Sequence, residues 1–262
     1  MARQRLDQLL VDRGLARSRS EAVALLLAGA VDMAGAGSGT LKPGQLVAAG
    51  VELTLRPGPR WASRAAAKLE AALDAFAVDP AGLACLDAGA STGGFTDLLL
   101  ERGARIVYAV DVGRGQLLDR LLRDPRVISM ERTNLRELQA LPELVDLATL
   151  DLSFISLRLV LPAVRRLLTD RGRVIALVKP QFEAGRDAVP RGGVVRDPEV
   201  HRQVLLQFGS DAADAGFAPL ALIRSPISGA DGNVEFLALL APNAEAEVRW
   251  SDVVARLMAS LA

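Results

Sequence analysis

A glycine-rich segment in the first half of the chain limits the possible folds more than any other feature. Residues 83–88 are apolar apart from one aspartate, residues 89–94 are small, and a helical pattern follows. This order predicts a buried strand, a tight turn and a helix, which together place backbone N–H groups at the carboxyl edge of a parallel sheet. Because Gly89, Gly93 and Gly94 lack a Cβ atom, the backbone there can bend sharply and lie against a ligand. The segment therefore predicts a site for a nucleotide-like cofactor.

Strands and helices alternate after residue 63, which is typical of an α/β fold with a doubly wound parallel sheet. A helix from Ser63 to Phe76 comes first. The predicted strands then cover 83–87, 105–112, 126–130, 145–150 and 173–178, with two more near 218–223 and 233–240. A helix over 198–215 and a C-terminal helix through Trp250 complete the pattern.

Polar residues follow several of these strands, at the edge where open α/β sheets bind ligands. Asp111 closes the second strand, which is the usual place for a carboxylate that accepts hydrogen bonds from a ribose, and Asn134 lies beyond the third. Asp151 and Lys179 end neighbouring strands, so their side chains can meet above the sheet. Charges that follow such apolar strands favour a functional site over a structural ion pair.

Lysine is rare in this chain, which makes each lysine informative. Of 31 basic residues only Lys42, Lys68 and Lys179 are lysines, and arginine supplies every other positive side chain. Arginine effectively never loses its proton, whereas a lysine amine can do so when it is desolvated or close to another cation. Each remaining lysine therefore raises the question of what an arginine could not do at its position.

The N-terminal residues predict a separate small unit with a basic surface. Helices are expected over 3–11 and from Ser18 to Leu27, and strands over 30–33 and 51–55. Between Arg3 and Arg64 nine basic residues face five acidic ones, although the whole chain has a net charge of zero. Such an asymmetry favours a nucleic-acid surface. The predicted organisation is a domain at 1–55, a proline- and glycine-rich linker at 56–62, and a large domain at 63–262.

Composition excludes several other classes of protein. The chain has no leader-like N-terminus and no apolar run near the roughly 18–20 residues that span a bilayer. A single cysteine, Cys85, cannot form an internal disulfide, which suits a reducing cytoplasm. A single histidine and the absence of zinc-ligand spacing predict no metal site.

The N-terminal motif resembles a known RNA-binding module. Arg-Leu-Asp-x-x-Leu, Gly-Leu-Ala-Arg-Ser-Arg and Lys-Pro-Gly, in that order, resemble the alpha-L module named after ribosomal protein S-four. The resemblance implies a small α+β RNA-binding domain with Arg5, Arg17, Arg19 and Lys42 near the RNA phosphates. Arg64, beyond the linker, is assigned to the same RNA-binding set. The segment 32–35 departs from the module, which usually has Val-Asn-Gly there, so the turn is expected to differ.

Four motifs of the large domain point to a known family. They are Asp-Ala-Gly-x-Ser-x-Gly-Gly-Phe, Asp-Leu-Ser-Phe-Ile-Ser, Val-Lys-Pro-Gln-Phe-Glu and Gly-Asn-Val-Glu-Phe. They resemble the FtsJ-type ribose 2′-O-methyltransferases, which implies a Rossmann-like sheet that binds S-adenosylmethionine (SAM). Both domains together resemble the TlyA family, rRNA cytidine 2′-O-methyltransferases also called haemolysin A. The resemblance implies a catalytic tetrad of Lys68, Asp151, Lys179 and Glu235. It also implies SAM contacts from Asp87, Gly89, Ser91, Gly93, Gly94, Phe95, Asp111 and Asn134.

The chemistry of such a reaction explains the residue types. A ribose 2′-hydroxyl must lose its proton as the methyl group is attacked in line. Lys179 is expected to act as the base, favoured by the nearby cation of Lys68, while Asp151 and Glu235 orient the amines. Ribosomal RNA or a ribosomal subunit is the expected partner, and no membrane contact is expected.

Three alternatives accompany this hypothesis. A nicotinamide enzyme is suggested by the turn Gly-x-Ser-x-x-Gly, one residue from the dinucleotide fingerprint, but the lysine tetrad and the RNA-binding module oppose it. A pore-forming haemolysin is suggested by the family's second name alone, and the lack of an export signal, a membrane span and disulfides opposes it. A catalytically silent RNA-binding protein is separated from an enzyme by an activity assay.

Overall fold

The computed structural model describes residues 3–16, 18–27, 31–34, 41–55, 60–185, 189–229, 232–242 and 249–261. Two compact units divide the chain, Met1–Arg60 and Trp61–Ala262. Most of the predicted linker, residues 56–59, lies outside the described residues. Among the helices that are described, none combines the length and the apolar character needed to cross a membrane.

The first unit is a small α+β structure. Two antiparallel strand pairs, β1 with β3 and β2 with β4, accompany two helices that pack through Leu6, Leu10, Ala22 and Leu26. The elements are β1 (Arg3–Arg5), α1 (Leu6–Asp12), α2 (Arg19–Leu27), β2 (Val31–Met33), β3 (Leu46–Ala48) and β4 (Leu53–Leu55).

Two features of this unit differ from the sequence prediction. The helix expected over 3–11 begins only at Leu6, because Arg3–Arg5 is extended and pairs with β3. The strand Leu46–Ala48 was not predicted at all. A three-residue strand is too short to show an alternation of apolar and polar residues, so its pairing partner, and not its own pattern, determines its conformation.

The second unit is built on a seven-stranded sheet in the order β10-β11-β9-β8-β5-β6-β7. Neighbouring strands from β9 to β7 run parallel, whereas β11 is antiparallel to both β9 and β10. The α/β fold class is therefore confirmed. The strands are β5 (Ala84–Ala88), β6 (Ile106–Val110), β7 (Val127–Met130), β8 (Val145–Leu150), β9 (Leu168–Val178), β10 (Phe217–Arg224) and β11 (Phe236–Pro242).

Helices cover both faces of this sheet. Along β5, Ala84, Leu86 and Ala88 pack into one apolar cluster and Cys85 into the other, because successive side chains point to opposite faces. Both faces of β5 are buried, which explains why its sequence is apolar apart from Asp87. The helices are α3 (Ala66–Ala75), α4 (Gly94–Glu101), α5 (Asp119–Leu122), α6 (Leu161–Leu167), α7 (Pro180–Glu183), α8 (Pro198–Asp214) and α9 (Trp250–Leu261).

The strand order changes direction between β5 and β8. From β5 the chain proceeds outward through β6 to β7, then returns to β8 on the other side of β5. A crevice opens at the carboxyl ends of the strands where the order reverses, and ligands bind there in folds of this type. The fold therefore places the ends of β5 and β8 at the predicted site.

Candidate active site

The turn after β5 has the sharp backbone that the sequence predicts. Gly89 and Gly93 have φ values of +85° and +97°, a region that side-chain-bearing residues rarely adopt. A Cβ atom on Gly89 would lie 2.4 Å from the carbonyl oxygen of Asp151. Only glycine therefore lets the end of β5 approach the end of β8 this closely.

Asp111 is fixed by the same turn. Its Oδ2 accepts a hydrogen bond from the backbone N–H of Ser91 at 2.8 Å, and its Oδ1 accepts one from Gly113 at 2.7 Å. Beyond it opens a cavity of about 490 Å³, which we call the Asp111 cavity. Of the predicted cofactor-binding residues, its lining contains Gly89, Ser91, Asp111 and Asn134. Asn134 also begins a short 3-10 helix, because its side-chain oxygen accepts from the backbone N–H of Arg136.

The remaining predicted cofactor residues lie elsewhere. Asp87 is fully buried and lines neither this cavity nor the neighbouring one, since its carboxylate accepts hydrogen bonds from the backbone N–H and hydroxyl of Thr96 at 2.8 and 2.6 Å. Burial raises the pKa of Asp87 to about 7. Asp87 thus ties β5 to the first turn of α4. Gly93 packs against Leu121, and Gly94 and Phe95 line the neighbouring cavity.

That neighbouring space, the lysine cavity, measures about 480 Å³ and contains all four residues of the predicted tetrad. Lys179 Nζ lies 2.7 Å from Asp151 Oδ1, and Lys68 Nζ lies 2.5 Å from Glu235 Oε2. Both lysines and Glu235 are buried, at 7%, 7% and 2% exposure. Two lysine–carboxylate contacts therefore lie inside one cavity.

Four separate elements bring these side chains together. Lys68 comes from α3, Asp151 and Lys179 follow β8 and β9 directly, and Glu235 immediately precedes β11. The Asp111 cavity and the lysine cavity share part of their lining. The shared residues are Gly89, Ser91, Asp151, Ser153 and Phe154.

Sequence reasoning missed several residues that shape the lysine cavity. Ser153 accepts a hydrogen bond from Lys179 Nζ at 3.0 Å. Gly229 leaves space for the carboxylate of Glu235, since a Cβ atom there would lie 2.1 Å from Glu235 Oε1. Phe154 is 90% exposed with a positive φ of 62°, and its ring lies 5.1 Å from that of Phe182. The position of Phe154 in the motif Asp-Leu-Ser-Phe was the available signal, but the motif alone gave it no role.

Glu183 joins the two loops that follow β8 and β9. Its carboxylate accepts hydrogen bonds from the hydroxyl of Ser156 at 2.7 Å and from the backbone N–H of Leu157 at 2.9 Å. Burial raises its pKa above the ordinary range. The helix α7 begins directly after Lys179 and ends at Glu183. Glu183 therefore fixes the loop that begins at Asp151 relative to the segment that begins at Lys179.

In the first unit, one buried carboxylate organises two predicted RNA-binding arginines. Asp7 lies 2.8 Å from Arg5 Nη2 and 3.0 Å from Arg19 Nε, and these hydrogen bonds, that of Arg5 foremost, lower its pKa to about 2. The guanidinium of Arg5 also faces Gly44, in the turn that carries the exposed Lys42. Arg5, Arg19 and Lys42 therefore share one region of this unit.

Two members of the predicted RNA-binding set are not in this group. Arg17 lies outside the described residues. Arg64 belongs to the second unit, where it is exposed and lines the lysine cavity. In the described part of the chain, no three His, Cys, Asp or Glu side chains are grouped as metal ligands. His201 is buried and bonds the carbonyl oxygen of Val195 at 3.0 Å.

Comparison with known proteins agrees with this architecture. The family of FtsJ-like methyltransferases matches residues 61–241. The 16S/23S rRNA (cytidine-2′-O)-methyltransferase TlyA of Mycobacterium tuberculosis is 47% identical over 238 residues, which cover 89% of this chain and 88% of that protein.

Solved structures show a similar fold. A candidate hemolysin of Streptococcus thermophilus has a TM-score of 0.73 and 42% identity, covering all of this chain and 98% of that one. A candidate S-adenosylmethionine-dependent methyltransferase from Listeria monocytogenes has a TM-score of 0.52 at 17% identity, covering 70% of this chain and all of that one, a likeness of fold alone.

The sheet, the cavities at its carboxyl edge and the family match define a methyltransferase of the FtsJ-like class. Within that class, the chain belongs to the TlyA family of rRNA methyltransferases.

Proposed function

We propose that the protein transfers a methyl group from SAM to the ribose 2′-hydroxyl of a cytidine in ribosomal RNA. The observation that carries the proposal is the pair of contacts Lys179–Asp151 and Lys68–Glu235 inside one buried cavity. The substrate follows the relative from M. tuberculosis, whose name specifies cytidine 2′-oxygens of 16S and 23S rRNA. Such a substrate implies that the enzyme works in the cytoplasm.

The Asp111 cavity fits the cofactor. Two backbone N–H groups fix the Asp111 carboxylate, which keeps lone pairs for the hydroxyls of a ribose. Asn134 lines the same cavity and is assigned to the adenine end. The bound cofactor would supply an electrophilic methyl group. Because Gly89 and Ser91 border both cavities, a ligand in one faces a ligand in the other.

Lys179 is the proposed general base. A neutral lysine amine has two N–H groups and one lone pair, and Asp151 and Ser153 lie at hydrogen-bond distance to accept the two N–H groups. This leaves the lone pair to take the proton of the 2′-hydroxyl. General-base catalysis of this kind contributes a factor of roughly 10²–10⁴ in rate.

Lys68 and Glu235 form the second pair. Lys68 contacts Glu235 inside the cavity that also contains Lys179. Glu235 holds Lys68 in place and compensates its charge, since an unpaired charge at this depth would be costly. Asp87 is proposed to act indirectly, by holding the turn of the cofactor site against α4.

The first unit is the proposed RNA-binding domain. Arg5 and Arg19 are held by Asp7 and lie near the turn of Lys42, so their positive charges form a preorganised group for phosphates. Arg64, at the lysine cavity, is proposed to contact a phosphate close to the target nucleotide. Contacts of this kind give affinity that falls as salt rises.

The three lysines of the chain offer a matched test of the mechanism. Each is replaced by arginine, which keeps the charge and removes the ability to act as a base. Lys179→Arg should lower single-turnover methyl transfer to rRNA by at least about 100-fold, with SAM binding intact. Lys42→Arg, in the first unit, should remain close to the unchanged enzyme.

The product identifies the function. The 2′-O-methyl group should map to a cytidine of rRNA from cells that have the gene and be absent without it. Calorimetry should detect SAM and not NAD, which separates the proposal from a nicotinamide enzyme. Near-normal turnover by Lys179→Arg would remove Lys179 from the role of base.

A further inference from the structure

Gln181 contains a buried polar atom that the mechanism above does not use. It lies in α7, two residues after Lys179, and its side chain lines the lysine cavity. Its carboxamide oxygen, Oε1, is buried and has no hydrogen-bond partner among the described residues. A buried acceptor without a donor is costly in free energy, and most native structures avoid it. A ligand in the cavity that supplies a donor would remove this cost.

The surrounding side chains limit where that donor can come from. Lys179 Nζ contacts Asp151 and Ser153, and Lys68 Nζ contacts Glu235. A donor on a substrate in the cavity would therefore give Gln181 Oε1 the partner that it lacks among the described residues.

Gln181 also lines a second, adjoining groove of about 530 Å³. This groove shares Phe154, Gln181 and Phe182 with the lysine cavity, and the rest of its lining is of mixed polarity, with Ile155, Ser156, Val189 and Pro190. A nucleotide whose ribose faces Lys179 therefore has room for its base on the side of Gln181. A flat base with an amino group on its edge suits a groove of mixed polarity that offers one buried acceptor.

We propose that Gln181 reads the target base, its Oε1 accepting a hydrogen bond from the exocyclic amino group of cytosine. Uracil has a carbonyl oxygen in place of that amino group, so two hydrogen-bond acceptors, this oxygen and Gln181 Oε1, would face each other without a donor. Sites that hydrogen-bond a substrate group discriminate strongly against analogues that lack it, because the buried protein group is then left unpaired. This inference rests on the proposed function and assigns the base specificity of the same site.

The test varies both sides of the proposed hydrogen bond. Short rRNA substrates carry, at the mapped position, either cytidine or a 2-pyrimidinone ribonucleoside, which lacks only the 4-amino group. Each is methylated by the unchanged enzyme and by Gln181→Leu, and kcat/KM is measured for all four combinations. Gln203→Leu, on the exposed face of α8, is the matched control, and SAM binding is measured for every variant.

The unchanged enzyme and Gln203→Leu should lose about 10-fold or more in kcat/KM on the analogue. Gln181→Leu should be slow on cytidine and lose little further on the analogue, with SAM binding unaltered. Equal rates of the unchanged enzyme on both substrates would overturn the inference without any variant, as would full discrimination by Gln181→Leu. If no RNA is methylated at a 2′-oxygen, the proposed function itself fails and the inference falls with it.

Discussion

Replacing Asp7 by asparagine should destabilise the first unit and disperse the positive charges of its proposed RNA-binding surface. The Asp7 side chain is 1% exposed, while those of Arg5 and Arg19 are 48% and 58% exposed. Asparagine keeps the size of the side chain but removes the charge that both guanidinium groups approach. It also presents an N–H₂ group near one of the two arginines, which can only donate.

The shift in the pKa of Asp7 sets the size of the expected loss of stability. Moving the Asp7 pKa from 3.8 to about 2 corresponds to ~2.4 kcal/mol of stability at neutral pH. Because both arginines are about half exposed, solvent screening reduces this to about 1 kcal/mol. The folded-state pKa is depressed, so this stability is present above pH 3.8 and is lost as pH falls toward 2. At pH 3 the difference in stability between the unchanged protein and Asp7→Asn should be about half of its value at pH 7.

Amide hydrogen exchange of the full-length chain, followed in peptides from α1 and α2, measures this difference. Asp12→Asn is the matched control, since Asp12 is exposed on α1 and is paired with the side chains of Gln4 and Gln8. Exchange in Asp7→Asn should be faster at pH 7, and RNA binding should weaken, while Asp12→Asn changes little. If the amides of Asp7→Asn were as well protected from exchange as those of the unchanged protein, the reasoning would be refuted. A loss of protection in Asp7→Asn that stays the same at low pH would refute it as well.

Three further perturbations test other contacts. Gly229→Ala should lower methyl transfer without changing SAM affinity, because its Cβ would collide with Glu235; a normal rate would contradict the close packing. The pKa of Asp87 is raised to about 7, so Asp87 should contribute to the free energy of unfolding most strongly below pH 3.8, and this contribution should be lost as pH rises through 7. Denaturant titrations at several pH values measure this dependence. Asp87→Asn should remove that slope, and an unchanged slope would assign it to another group. Deletion of residues 1–55 should leave SAM binding at Asp111 intact while RNA affinity and its salt dependence fall; unaltered RNA binding would exclude the first unit as the RNA surface.

The sequence predicted several strands of the sheet closely. The strand β8 was predicted with its observed bounds, and β5 and β7 within one residue. Because β5 and β8 are largely buried, their sequences are mostly apolar. The polar residues after β6, β8 and β9 then located Asp111, Asp151 and Lys179 at one edge of the sheet. Asp87 lies within β5, and its carboxylate reaches Thr96 in α4, a contact that its place before the glycine turn in the sequence did not predict.

What sequence could not supply is contact between segments distant in the chain. Ser153 touches Lys179 across 26 residues, and Gly229 matters only because Glu235 folds back against it. The burial of Gln181 Oε1 likewise depends on several loops at once. No local pattern encodes these distances. They become visible only when the ends of β8 and β9 are assembled side by side.

The scarcity and burial of reactive side chains have a practical consequence for labelling. Lys68 and Lys179 are buried in ion pairs, whereas Lys42 is exposed, so acylating reagents should modify Lys42 well before the other two lysines. Cys85 is buried, and this burial raises its pKa to about 12, which leaves the thiol unreactive toward alkylating reagents. A single cysteine introduced at the surface would therefore carry a fluorophore at one defined position. Cys85 therefore does not have to be replaced before the chain is labelled for single-molecule measurements of RNA binding.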